Sequence, residues 1–181
     1  MTKWLALLCG LLLTHEAQAK IHPTYNPNHK TNSPNHKASS TDKVLNQLSS
    51  TEIPALKKVN TTDRRQTLCL ALGLYHEARS EPEDGQRAVG HVILNRVKAS
   101  GQTICQTVYA RGQFAPTLGK TPVEIESWKA VQEQAVELRT DPGWDNSQGA
   151  TMFYNYKLAH PKWAKVGVIT AQYGYHIFVR P

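Results

Sequence analysis

The chain has 181 residues, a formal net charge of +7 and three cysteines. That length leaves room for one domain of ordinary size once a polar N-terminal third is set aside. No run of lysine and arginine interleaved with aromatics marks a nucleic-acid face, and neither a glycine-rich phosphate loop nor a Gly-x-Ser-x-Gly elbow occurs. Nucleic acid is therefore not expected as a partner, and those two chemistries have no support.

Residues 1–19 read as a secretory signal. Lys3 precedes an apolar stretch from Trp4 to Leu13, and Ala17-Gln18-Ala19 supplies a cleavage site. The stretch is about ten residues, short for a bilayer span. Cleavage after Ala19 implies a periplasmic or extracellular location. An uncleaved anchor is the alternative, and membrane contact is expected only through it.

Residues 20–60 read as a disordered basic linker. Asn, Ser, Thr, Pro and Lys dominate, with too few large apolar residues to offset chain entropy. Pro27-Asn28-His29-Lys30 recurs as Pro34-Asn35-His36-Lys37. The histidines of this tract could hold a metal weakly, but a solvated linker is the simpler reading. The linker carries six lysines against two acids, and residues 61–181 carry 14 basic against 11 acidic side chains. An exported basic protein is drawn to anionic surfaces such as wall polymers. A monomer is expected.

In the remaining domain, 61–181, Asp63 is a candidate N-cap for a first helix through Leu68, Leu72 and Tyr75. Leu70, Leu74 and Glu77 share one face. Pro82 pushes Glu81 out of helical geometry, so the helix should end near Arg79 with Glu81 on the following turn. A second helix fits Gly85 to Lys98, apolar on more than one side and so central, with Gly101 as its stop. A short helix fits Ile104 to Tyr109, and residues 111–122 read as loop. A third long helix runs from about Val123 to Arg139, with early acids and a late arginine suiting its dipole. Ala150–Tyr154 and Tyr175–Val179 have β-favouring composition and could pair as a small sheet.

Cys9 lies in the signal, which leaves Cys69 and Cys105. In an oxidising compartment such a pair reads as a disulfide, with two free buried thiols as the alternative.

A carboxyl at the inner end of an apolar helix suits a general acid, because burial disfavours its charged form. Glu77 holds that position, and a helix-end ion pair with Arg79 or Arg96 is its structural alternative. Glu81 is a candidate second carboxylate, placed to hold a water, or else it only solvates the turn. His76-Glu77 lacks the second histidine of a zincin pattern, because position 80 is Ser. No metal and no cofactor are expected. Phe114, Tyr154 and other aromatics could stack on sugars, and Asn95, Gln113 and Asn155 could hydrogen-bond sugar amides.

The ordered residues from Leu70 to Val97 carry a resemblance: Leu-x-Leu-x-x-Tyr-x-Glu-Ala-Arg-x-Glu-Pro-x-x-Gly-Gln-x-Ala-Val-x-x-Val-x-Leu-Asn-Arg-Val. This resembles the cell-wall hydrolase family typified by the spore-cortex-lytic enzymes. Cys105, Gln113-Phe114, Gly149-Ala150-Thr151 and His176-Ile177-Phe178-Val179-Arg180 follow in that family's order. The resemblance implies a mainly helical α+β domain, lysozyme-like or lytic-transglycosylase-like, with a small antiparallel sheet. It implies action on peptidoglycan glycan strands with Glu77 as the catalytic acid. Glu81, Asn95, Gln113, Phe114, Tyr154 and His176 are the expected substrate contacts. Two departures stand out: Ala115-Pro116-Thr117 replaces the usual Ser and Trp after Gln-Phe, and Met152 stands where His is common. The expected activity is lytic transglycosylation, with hydrolysis at the same bond, amide cleavage, or wall binding without catalysis as alternatives.

Overall fold

A computed structural model of the protein describes residues 40–114 and 120–181. The expected signal and most of the expected linker lie outside these residues. Helices come first in the chain and strands last. They are α1 (Ser40–Leu48), α2 (Pro54–Lys57), α3 (Thr61–Ala78), α4 (Glu83–Ser100), α5 (Ile104–Val108), α6 (Ile125–Thr140), β1 (Met152–Asn155), β2 (Val168–Tyr173) and β3 (His176–Arg180).

α3 is the hub of the helical part and packs on α4, α5 and α6. Every residue from Thr67 to Tyr75 is buried, which a helix can do only when neighbours surround it. Asn60, not Asp63, caps it: the Asn60 side chain accepts from the Asp63 N–H at 3.0 Å. Gly101 closes α4 in the left-handed conformation, φ 68°. At the start of α6, the Val123 and Glu124 N–H groups donate to the Tyr75 hydroxyl, at 3.1 and 3.0 Å. Cys69 and Cys105 form a disulfide across 36 residues, joining α3 to α5. By loop-closure entropy such a bridge contributes about 3–4 kcal/mol.

The expected linker is corrected at its C-terminal end. Val44, Leu45 and Leu48 of α1, with Ile53 and Leu56, are buried in the main core. Gln132 of α6 accepts from the Ile53 N–H (3.2 Å) and donates to the Thr51 carbonyl (3.1 Å). The Trp128 indole donates to the Thr51 hydroxyl at 3.0 Å. The folded unit therefore starts well before residue 61. α1 packs on α3, and the segment from Thr51 to α2 finds partners in α6 some 80 positions downstream, which local composition does not reveal.

The sheet is antiparallel in the order β1-β3-β2. Asn155 faces His176 and Met152 faces Val179 across β1 and β3. Phe178 and Val179 are fully buried and hold the sheet on the helices. β1 and β3 are the two expected strands, whereas β2 was not expected. Val168 and Ile169 are exposed, and an irregularity between Ile169 and Ala171 breaks the alternation that marks a strand.

Candidate active-site cleft

Glu77 lies in the last turn of α3, partly buried. It opens into a cleft of about 580 Å³, also lined by His76, Ser80, Glu81, Arg96 and Gln113. The opposite run of lining residues comes from Phe114, from Phe153, Tyr154 and Asn155 of β1, from Leu158 and Ala159 beyond it, and from His176 of β3. Helices α3 and α4 and the turn between them thus supply the carboxylates and Arg96, and the sheet supplies aromatic surface.

Arg96 reaches the cleft from α4. Its Nε donates to the Thr151 carbonyl (2.5 Å) and its Nη1 to the Gln113 side-chain oxygen (3.1 Å). Its guanidinium carbon lies 4.9 Å from the centre of the Phe114 ring. Burial draws the Arg96 pKa down from the usual arginine value, and the charge of Glu77 pushes it back up. The two groups therefore share one electrostatic field. Arg79 faces elsewhere: it pairs with Glu124 at 2.9 Å and lies over the Tyr75 ring.

His76 and His176 flank this centre. His76 Nε2 is 3.1 Å from the Lys120 carbonyl, and burial lowers its pKa more than that contact raises it. His176 lies against Phe153, with ring centres 5.0 Å apart. Burial lowers its pKa too, opposed by Glu81, whose Oε1 is 3.8 Å from His176 Nε2. Among the described residues, no three or more His, Cys, Asp or Glu side chains gather as a metal-ligand set.

Six of the seven expected site residues line the cleft: Glu77, Glu81, Gln113, Phe114, Tyr154 and His176. Two expectations are corrected. Asn95 does not line it; its amide donates to Asp145, Ser147 and the Ala150 carbonyl, tying α4 to the loop before β1. Glu81 is not a solvated turn acid. Its side chain is 5% exposed, and its Oε2 accepts the Tyr175 N–H at 2.8 Å.

Arg96 was legible only as a candidate ion-pair partner for Glu77. Phe153 was legible as one of the aromatics able to stack on sugars, whereas Leu158 and Ala159 carried no signal of their own, because the fold assembles that wall from separated segments. The altered segment Ala115-Pro116-Thr117 lies outside the described residues. Met152 begins β1 and does not line the cleft.

The sequence profile of the cell wall hydrolase family matches residues 80–179, more than half of the chain. The chain belongs to the cell wall hydrolase family. It is similar to the spore cortex-lytic enzyme of Oceanobacillus iheyensis, 31% identical over 115 residues, covering 61% of this chain and 40% of that protein. It is 32% identical over 111 residues to the Bacillus subtilis spore cortex-lytic enzyme, covering 60% and 35%. The chain thus spans about two fifths of the length of these relatives. Among solved structures it is similar to the catalytic domain of the germination-specific lytic transglycosylase SleB from Bacillus anthracis. The TM-score is 0.54 at 28% identity, covering 67% of this chain and 99% of that one. The catalytic domain of Bacillus cereus SleB gives a TM-score of 0.52 at 26% identity, covering 71% and 98%. The family match begins at Ser80, three residues past Glu77, so it does not itself bear on that side chain.

Proposed function

We propose that this cell wall hydrolase cleaves the glycosidic bond between MurNAc and GlcNAc in peptidoglycan, as a lytic transglycosylase with Glu77 as its acid and base. The observation that carries this reading is Glu77 itself, a partly buried carboxyl in a cleft of about 580 Å³ with an aromatic wall and Arg96 in its field. The similar SleB domain, described as a lytic transglycosylase, supports it.

Glu77 gives its proton to the glycosidic oxygen as the bond to the MurNAc C1 breaks. The carboxylate that remains takes the proton of the MurNAc 6-hydroxyl. Its oxygen then bonds to C1 and closes a 1,6-anhydro ring, returning Glu77 to the acid form. The positive charge of Arg96 favours the carboxylate midway through this cycle. No water enters the balance. The hydrolytic alternative needs a second carboxylate to hold one. Glu81 is the nearest candidate, and its burial and its bond to the Tyr175 N–H argue against that task. A wall substrate implies that the protein works outside the cytoplasm. Among the described residues no helix is long and apolar enough to cross a membrane.

Mass spectrometry of digested sacculi tests this reading. Anhydro-MurNAc ends are expected, and Glu77→Gln should lower their release by at least a thousandfold while still binding the wall. Reducing MurNAc ends would establish hydrolysis instead. Free stem peptides, or a fully active Glu77→Gln, would sink the assignment.

A further inference from the structure

Glu81 lines the cleft, yet the proposed chemistry gives it no proton to move. Its contacts all run to one place. Oε2 accepts the N–H of Tyr175 at 2.8 Å, and Oε1 lies 3.8 Å from Nε2 of His176. Gly174 and Tyr175 form the two-residue turn between β2 and β3, with Tyr173 facing His176 across it. Gly174 has φ 53°, and a Cβ there would stand 2.0 Å from Glu81 Oε2 and 2.7 Å from Pro82 Cδ. Only a glycine lets the turn come this close. Gly85 is tight as well: a Cβ there would lie 3.3 Å from the Cβ atoms of both Glu81 and Tyr173.

The other side of the joint is also fixed. The Gln86 side chain donates to the Glu81 carbonyl at 2.9 Å, holding the elbow between α3 and α4. Glu77 stands four residues upstream, on the last turn of α3. β3 carries His176, and its pairing with β1 sets Tyr154 and Asn155 beside it. The elbow therefore links the proton donor directly to the sheet wall of the cleft.

We propose that Glu81 is a positioning residue whose carboxylate clamps the β2–β3 turn onto the α3–α4 elbow and so fixes the sheet wall relative to Glu77. The role rests on Glu77 being the acid of the proposed function. The clamp needs an acceptor for one N–H rather than a charge, so an amide can replace it in part. Displacement of a substrate wall by an ångström can cost two orders of magnitude in rate while binding survives.

The experiment compares full-length wild type, Glu81→Ala, Glu81→Gln, Gly174→Ala and Glu77→Gln on peptidoglycan. Rates, KM and product ends are read together, and thermal unfolding verifies folding. Glu81→Ala should lower kcat about 100-fold with KM changed by less than about threefold. Glu81→Gln should recover at least about tenfold of that loss. Gly174→Ala keeps the carboxylate but wedges the joint, and should lose kcat as Glu81→Ala does; it decides the matter if Glu81→Ala fails to fold. All Glu81 variants should release the same product ends as wild type. The clamp is overturned if Glu81→Gln is as slow as Glu81→Ala, if either variant shifts the ratio of anhydro to reducing ends, or if Gly174→Ala runs at the wild-type rate. A wild type that cuts no glycan, or a Glu77→Gln that does, would instead remove the glycosidase reading.

Discussion

Asp145 accepts hydrogen bonds from the Ser147 N–H and hydroxyl, the Gly149 N–H and the Asn95 amide, at 2.6–3.0 Å. Burial alone would raise its pKa; these bonds outweigh it and hold the carboxyl below its ordinary value of 3.8. His91 lies behind it, buried, with Nδ1 3.7 Å from Asp145. Burial lowers the His91 pKa below 6.5 despite the attraction of Asp145, and Arg87 lowers it further. The sign of the pH dependence follows. A histidine with a depressed folded pKa contributes stability that is complete above 6.5 and lost as pH falls toward the folded value. Asp145 contributes stability that is complete above 3.8 and lost below it. His76 and His176 are depressed too and share the first stage. Thermal midpoints should therefore drop in two stages on acidification, and His91→Gln should flatten the stage that begins as pH falls below 6.5. An unchanged slope there would remove His91 from the account. Asn95→Ala should cost about 2–3 kcal/mol in urea unfolding, because it strands buried acceptors. Its kinetic constants per folded molecule should stay within about threefold. Lost substrate affinity at unchanged stability would return Asn95 to the substrate.

The N-terminal helices belong to the core at the level of whole elements. Leu56 is fully buried; just upstream, Gln132 of α6 grips the backbone of Thr51 and Ile53, and Trp128 holds the Thr51 hydroxyl. Leu56→Ala should destabilise by about 2–5 kcal/mol, and a chain started at residue 61 should melt well below one started at residue 40. Equal melting would return residues 40–60 to the status of a linker. Helices α3 to α6 were legible because their signals are local: Pro82 after the last turn, Gly101 in the left-handed cap, and Asp141-Pro142-Gly143 at the end of α6. Glu77 was legible for the same reason, as an acid on a stripe with Leu70 and Leu74. What stayed hidden depends on distant pairing. α1 and α2 are short helices that draw their burial from distant elements, α1 from α3 and α2 from α3 and α6. β2 is an exposed, bulged strand defined only by its bonds to β3. The contact of Glu81 with Tyr175 crosses 94 positions of sequence, and local rules place Glu81 on a turn without saying what lies against that turn.

Charge is segregated across the molecule. Residues 146–181 contain no aspartate or glutamate, but hold Lys157, Lys162, Lys165 and Arg180. The three lysines fall between β1 and β2, next to Leu158 and Ala159 of the cleft wall. Lys157 is poised over the rings of Tyr156 and Tyr175, at 5.5 and 5.9 Å from their centres. The acids of the folded unit all precede residue 146, so the segment that builds the sheet carries basic side chains and no acidic ones. A cationic segment beside the cleft raises the local concentration of a polyanion, and exposed charges act over about 10 Å at 0.1 M salt. Under the proposed function that polyanion is the wall, with its stem-peptide carboxylates. Binding of the inactive Glu77→Gln protein to sacculi should weaken by roughly an order of magnitude between 0.05 and 0.5 M salt, as exposed charges are screened. Joint replacement of Lys157, Lys162 and Lys165 by glutamate should remove most of that salt dependence. The same three changes in the active protein should leave turnover on saturating short glycans within about threefold, because none of the lysines lines the cleft. An unaltered salt slope in the triple variant would move the attraction to the lysines upstream of residue 61.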